Sequence, residues 1–104
     1  MATDPREFFE KKLPAQLKAE PEKAKAIGAT YKFNVAGSGI WVADLATQTV
    51  TEGDGEAKCT IEVGKDDFSA ILDKTLNAQM AFMSGKLKIK GDMGLAMKLG
   101  QVLG

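Results

Sequence analysis

The sequence predicts an α+β fold, with a block of β-strands in the middle of the chain and helices before and after it. A helix start at Thr3-Asp4-Pro5 precedes apolar residues at intervals of four. From Ala29 the apolar spacing changes to two, which is typical of half-buried strands. Turn residues divide residues 76–103 into helix, strand and helix. This order favours a single sheet that helices cover on one face.

Length and charge limit the classes of function. The 104 residues predict one domain, residues 1–104, with one hydrophobic core. The chain has 14 basic and 14 acidic residues, so no net field favours a nucleic acid. Histidine is absent, which removes the most common general base and metal ligand. We therefore expect no metal, no cofactor and no nucleic-acid partner.

The single cysteine, Cys59, indicates a reducing compartment, because it cannot form an internal disulfide. It alternates with polar residues at strand period, so we expect it to point into the core as a small hydrophobe. No apolar run is as long as a membrane span, and the N-terminus lacks the apolar core of a secretory signal. The sequence therefore predicts a soluble intracellular protein in the cytoplasm.

The N-terminal helix is predicted from its start signals. Thr3 or Asp4 can cap it, and Pro5 suits its first turn. Pro14 interrupts the apolar stripe, so we expect two helical pieces rather than one. The stripe consists of Phe9, Leu13 and Leu17. Lysines and glutamates interleave along this region, which favours a solvated helix face over a membrane-docking one.

Two further helices flank the strand block. Pro21 begins the first and Gly28 ends it. Asp66 and Asp67 lie where the second begins, and acidic residues in a first turn complement the helix dipole. The apolar stripe of this second helix is Phe68, Ile71 and Leu72.

Three or four short strands are predicted between these helices. The first covers residues 31–35, a hairpin turn follows at 37–39, and the return strand is 40–45. A third short strand begins at residues 50–51, and a fourth occupies residues 58–63. Apolar and polar residues alternate through the first and fourth of these strands, so one face of the sheet is expected to be buried.

The last quarter of the chain is predicted as helix, strand and helix. Asn77 can cap a helix that Gly85 ends, and Asp92 can cap a final helix over residues 93–103. In the strand between them, Leu87 and Ile89 are expected to face inward. Four of the five methionines lie in this region: Met80, Met83, Met93 and Met97.

Methionine is flexible and polarizable, so it suits surfaces that accept varied apolar shapes. Spacing alone nevertheless favours ordinary core filling over a wall that contacts a ligand. Catalytic constellations are missing as well. The only paired carboxylates, Asp66 and Asp67, point in different directions on a helix, and the serines have no histidine partner. These absences argue against an enzyme. The remaining class of function is a protein that binds an apolar ligand.

A long run in the C-terminal region resembles sterol carrier protein 2 domains. The run reads Phe82-Met83-Ser84-Gly85-Lys86-Leu87-Lys88-Ile89-Lys90-Gly91. Upstream, residues 41–45 and residues 59–61 occur in the order that this family shows. The resemblance covers residues 5–103. It implies a single mixed five-stranded sheet, about five helices over one face, and a hydrophobic lipid tunnel between sheet and helices.

The resemblance also implies a function and a site. Members bind sterols, fatty acids, fatty acyl-CoA or phospholipids and move them between membranes without covalent chemistry. We therefore expect a lipid ligand, transient membrane contact and a monomer. The positions that match the family's tunnel wall are Trp41, Gln79, Phe82 and Met97, with Gln79 as the polar contact for the lipid head. The apolar pattern adds Phe33, Phe68, Ile71, Leu72, Met80, Met83, Met93, Leu99, Val102 and Leu103.

Two other functions stay open. One is an accessory domain that presents lipid substrates to a separate or fused enzyme. The other is a small enzyme acting on acyl chains, against which the missing histidine counts. Many family members end in a Ser-Lys-Leu-like signal, whereas this sequence ends Val102-Leu103-Gly104, so a peroxisomal location is expected only if it is part of a longer protein. The final helix, residues 93–103, is expected to act as a movable lid.

Overall fold

A mixed five-stranded sheet organises the structure, a computed structural model that describes residues 3–103. The strand order is β3-β2-β1-β4-β5. β1 and β4 run parallel, and the other neighbouring pairs are antiparallel. The predicted fold class is confirmed. The strands are β1 (Thr30–Ala36), β2 (Gly39–Asp44), β3 (Thr49–Glu52), β4 (Cys59–Gly64) and β5 (Leu87–Gly91).

Strand alternation gives the sheet one buried face and one solvated face. The register places one row of buried-face residues side by side across four strands, in the order Trp41, Phe33, Ile61 and Ile89. The opposite face carries ion pairs of 3.0 Å between Lys32 and Asp54 and of 3.2 Å between Lys90 and Glu62. Helices therefore have only the first face to cover.

The helices are short, and most begin and end at the predicted signals. They are α1 (Pro5–Glu7), a π-helical segment (Phe8–Lys12), α2 (Leu13–Ala19), α3 (Pro21–Ile27), α4 (Lys65–Leu72), α5 (Ala78–Met83), α6 (Met93–Met97) and α7 (Leu99–Leu103). Asn77 caps α5 by accepting from the backbone N–H groups of Gln79 and Met80. Asp92 caps α6 in the same way, and Gly28 ends α3 with a φ of 61°. These predictions are confirmed.

The N-terminal helix differs from the prediction. Residues 5–19 form one continuous helical stretch rather than two separate helices. Pro14 has no N–H to donate and its ring crowds the preceding turn, so a regular α-helix is disfavoured there. The π-helical segment provides a wider turn before it, in which the Leu13 N–H donates to the Phe8 carbonyl, five residues back. Both Phe8 and Phe9 are buried in this stretch.

Phe9 is the centre of an aromatic cluster formed by Phe8, Phe9, Phe33, Trp41 and Phe68. Its ring stacks on Trp41 with centroids 4.6 Å apart and on Phe68 with centroids 5.4 Å apart. The Arg6 guanidinium covers Trp41 from outside, 5.5 Å from the ring centroid. The aromatic cluster fills the space between the β1–β2 half of the sheet and the N-terminal helices.

The predicted final helix is two helices. α6 ends at Met97, and α7 begins at Leu99 after Lys98, whose N–H donates to the Leu95 carbonyl at 3.0 Å. Leu95, Leu99 and Val102 are all buried against the core. The apolar spacing continues across the break, since Leu95, Leu99 and Val102 follow one another at intervals of four and three residues.

A buried hydrogen bond connects this C-terminal segment to the middle of the sheet. The Tyr31 hydroxyl donates to the Leu95 carbonyl at 2.7 Å. Burial, with smaller contributions from Cys59 and Asp92, raises the pKa of Tyr31 to about 12. The folded protein therefore keeps the tyrosine proton to a higher pH than the unfolded chain, whose tyrosine pKa is about 10.

We expect this tyrosine to make the protein less stable in alkali. Its contribution is complete below about pH 10 and is lost as the pH rises towards about 12, at about 1 kcal/mol per pH unit. Tyr31→Phe should remove that part of the slope, and it should also loosen α6 and α7. Urea unfolding across this pH range and amide exchange of residues 93–103 measure the two effects. An identical slope in the variant would show that Tyr31 does not titrate in this way.

Candidate functional site

An apolar groove of about 730 Å³ lies between the β5 edge of the sheet and the helices above it. Its walls come from the end of α4, the loop to α5, α5 itself, β5, α6 and α7. This volume lies within the range of about 300–1,000 Å³ that is typical of small-molecule sites.

Eight of the fourteen predicted site residues line this groove. They come from four successive helices within residues 65–103, which a loop, β5 and the break at Lys98 separate along the chain. The eight are Ile71, Leu72, Gln79, Phe82, Met93, Met97, Leu99 and Leu103.

Four predicted residues lie in the closed core instead. Phe33, Trp41 and Phe68 belong to the aromatic cluster, where the Phe9 ring packs against all three. Val102 is buried in the core beside α6. Phe33 and Trp41 share a sheet row with Ile89, which does line the groove. An inward-facing residue can therefore belong either to the core or to the groove wall. Its position along the row decides which of the two it joins.

The other two predicted residues, Met80 and Met83, lie outside the groove. Ala78, Ala81 and Phe82 share one face of α5, and that face is turned towards the protein. Met80 and Met83 lie off this face and are 61% and 74% exposed. They flank the groove without lining it.

Eight lining residues were not among the predicted site residues. Two of them, Leu87 and Ile89, could have been found from the sequence, because alternation along β5 places both on the buried face of the sheet. The α4–α5 loop gave no such signal, because its residues follow no period. The eight are Lys74, Leu76, Asn77, Ala78, Leu87, Ile89, Ala96 and Gly100.

The groove opens to solvent past Phe82, Met93 and Met97, of which Met97 is 88% exposed. The cavity that the resemblance implies as a tunnel is thus a groove with an apolar mouth in this structure. Five large apolar side chains are substantially exposed within residues 3–103, and all five lie on α5 or α6 beside the mouth: Met80, Phe82, Met83, Met93 and Met97.

The chemistry of the lining is that of a binding surface. Of the lining residues, all within residues 3–103, Lys74 alone has a charged side chain. Burial, followed by the charge of Asp92, raises the pKa of Cys59 and keeps its thiol protonated.

Residues 3–103 contain no cluster of acidic, histidine or cysteine side chains suited to a metal ion. None of the helices in that range has the length and apolarity needed to cross a membrane.

Comparison with known sequences identifies the family. The model of the SCP-2 sterol transfer family matches residues 10–104. The chain belongs to this family. Like other members, it therefore has a lipid-binding fold, with the mixed five-stranded sheet described above.

Two relatives illustrate the range of SCP-2 family proteins that this chain matches. It is 43% identical over 89 residues to hydroxysteroid dehydrogenase-like protein 2 of Danio rerio, covering 80% of this chain and 21% of the relative. It is 40% identical over 98 residues to human sterol carrier protein 2, covering 86% of this chain and 18% of the relative. The chain thus spans about a fifth of the length of these relatives.

A solved structure of an SCP-2 family member has the same fold. The solution NMR structure of palmitated SCP2L2 from Aedes aegypti superposes with a TM-score of 0.77 at 30% identity. The match covers 99% of this chain and 95% of that one. That protein was studied with palmitate, a fatty acid.

Proposed function

We propose that this protein is a soluble carrier that holds the apolar chain of a lipid in the groove and releases it without covalent chemistry. The observation that supports this most directly is the groove itself, about 730 Å³ in volume and lined mainly by apolar side chains. Fatty acids, fatty acyl-CoA, sterols and phospholipids all present such an apolar surface. The eight lining residues that sequence and structure share are the proposed contacts.

The absence of paired titratable groups along the groove supports a carrier rather than a catalyst. General acid–base chemistry needs a side chain whose pKa lies near the working pH and that can reach the substrate. Lys74 is the one charged lining residue within residues 3–103, and Cys59 lies in β4 within the core. A groove of this kind can shield an acyl chain from water but offers no nucleophile with an activating partner.

Transfer requires the lipid to enter and leave. We propose that the mouth meets a membrane transiently, because the exposed methionines of α5 and α6 surround the opening through which a chain would pass. The segment α6–α7 is the proposed movable part, with Gly94 and Gly100 weakening it. The structure divides the proposed lid into two short helices, so either could move separately. A monomeric state and a cytoplasmic location remain predictions.

Ligand binding should raise thermal stability. A ligand at about 100 times its dissociation constant stabilises the folded state by about 2.7 kcal/mol. For a domain of this size we expect the melting temperature of delipidated protein to rise by about 10 °C with saturating palmitate. Differential scanning calorimetry measures this, and native mass spectrometry shows whether a lipid co-purifies. Equal melting temperatures with and without palmitate, oleate, cholesterol and a phospholipid would contradict the carrier function.

A second function has one observation in its favour. The matched relatives are about five times longer than the aligned region, and one is named for its likeness to a dehydrogenase. This chain could therefore present lipids to an enzyme, fused or separate. Vesicle-to-vesicle transfer of a fluorescent lipid by the chain alone would favour the carrier. Lipid binding without transfer would favour the presenting role.

A further inference from the structure

The methionines of residues 3–103 share one location on the protein. Met80 and Met83 lie on α5, Met93 and Met97 lie on α6, and their side chains are between 49% and 88% exposed. Methionine is among the residue types that are most often fully buried. In this part of the chain, by contrast, all four thioethers lie at the surface beside the mouth of the groove.

Two of these methionines line the groove and two do not. Met93 and Met97 are four residues apart on α6, so they share one face of that helix, and both belong to the groove wall. Met80 and Met83 are exposed on α5 but lie outside the wall. A lipid tail in the groove would therefore contact the first pair rather than the second.

A thioether sulfur that solvent reaches can be oxidised by a peroxide. With hydrogen peroxide, a lone pair of the sulfur attacks one oxygen, the O–O bond breaks and an S–O bond forms. The proton of the transferred oxygen moves to the departing hydroxide, so the sulfur loses two electrons and the peroxide is reduced to water. The product, methionine sulfoxide, is polar, and dedicated reductases return it to methionine.

The single thiol of the chain is poorly placed to compete for the oxidant. Cys59 is 0% exposed in β4, and burial raises the pKa of its thiol. Peroxides react with exposed thiolates rather than with buried thiols. Oxidation of the folded protein should therefore occur at the mouth of the groove and spare the core.

From this placement we propose that Met93 and Met97 form a reversible oxidation site, at which hydrogen peroxide makes the wall of the groove polar. This inference rests on the proposed carrier function and adds a control on lipid loading. A sulfoxide oxygen is a hydrogen-bond acceptor, and an apolar tail lying against it would displace its water without offering a donor. Oxidation of the pair should therefore weaken binding of a lipid tail at least about tenfold.

Bound lipid should protect this site selectively. With palmitate at about 100 times its dissociation constant, nearly all of the protein carries a ligand. Oxidation of Met93 and Met97 should then be at least about threefold slower, whereas Met80 and Met83 should react as they do in empty protein. Peptide mass spectrometry after timed exposure to hydrogen peroxide measures all four rates in one sample. Equal effects of palmitate on the two pairs would overturn the proposal.

Two double variants test the effect on binding. Met93→Leu/Met97→Leu removes both sulfur atoms and keeps apolar side chains of similar size and helix preference. Its dissociation constant for palmitate should be the same before and after peroxide, whereas that of wild-type protein should rise at least about tenfold. Met80→Leu/Met83→Leu is the matched control, because it makes the same two changes outside the groove wall. Peroxide should weaken its binding as much as that of wild-type protein.

Methionine sulfoxide reductase distinguishes this effect from damage to the fold. Treatment of oxidised wild-type protein with the reductase and dithiothreitol should restore palmitate binding, and a loss that persists would overturn the proposal. Unchanged affinity of wild-type protein in which both Met93 and Met97 are oxidised would also overturn it and leave the carrier function intact. So would a loss of affinity that peroxide still causes in Met93→Leu/Met97→Leu. Failure of untreated protein to bind palmitate would contradict the carrier function and this inference with it.

Discussion

Phe9→Ala should lower the free energy of unfolding by about 3–5 kcal/mol, which is the usual cost of removing a buried aromatic ring. Phe9 is 1% exposed and contacts Trp41, Phe68 and Phe33 at centroid distances of 4.6, 5.4 and 5.1 Å. Its removal leaves a cavity at the centre of the aromatic cluster. Domains have unfolding free energies of about 5–15 kcal/mol, so this single substitution should remove a large fraction of the stability of the protein.

Equilibrium unfolding in urea measures this effect as a lower midpoint at an unchanged slope. Phe82→Ala is the matched control, because Phe82 is an aromatic residue on the groove wall and is 41% exposed. We expect it to cost about 1 kcal/mol or less, as surface substitutions usually do. It should weaken lipid binding more than it weakens the fold. Equal stability losses in the two variants would contradict the assignment of Phe9 to the core and Phe82 to the groove.

Ile89→Glu should weaken lipid binding at least about 100-fold, because a tail in the groove would strip water from the new carboxylate at a cost of several kcal/mol. Ile89 lies on β5 and lines the groove, and it is only partly buried. Before a lipid binds, the carboxylate can stay hydrated in the open groove. The fold should therefore survive the substitution.

Displacement of a fluorescent fatty alcohol measures this effect without charge repulsion between ligand and variant. Lys86→Glu is the control. It changes the net charge more than Ile89→Glu does, but Lys86 is exposed and does not line the groove. We expect it to bind the alcohol as wild-type protein does. Binding by Ile89→Glu within about threefold of wild type would place the lipid somewhere other than this groove, since a groove-bound tail would have to cover the charge.

Local structure could be predicted wherever a residue acts on its own backbone. Asn77 and Asp92 cap helices because their side chains accept from N–H groups two and three residues ahead. Cys59 is buried because its strand alternates. The two failures in local structure, at Pro14 and Lys98, both concern how a helix continues. The π-helical turn precedes Pro14, and the break at Lys98 has no proline or glycine at that residue to mark it in the sequence.

The candidate site could be predicted only in part, and the reason is visible in one row of the sheet. Alternation correctly placed Phe33 and Ile89 on the buried face, and the resemblance assigned Trp41 to the same wall. Neither could show that Phe9 covers Phe33 and Trp41 while Ile89 faces an open groove. Lys74 escaped prediction for a different reason, since its place in the groove wall depends on the turn that follows α4, where its backbone φ is 64°.

The sequence by itself determined the α+β class, the helix caps, the inward face of the alternating strands and the lack of histidine chemistry. These follow from local periodicity and from residue types, which need no knowledge of distant contacts. Only the tertiary structure decided which inward residues became core and which became groove wall. That choice depends on the helix that lies opposite each position: the N-terminal helices, through Phe9, close one half of the sheet, whereas α5, α6 and α7 leave the β5 edge open.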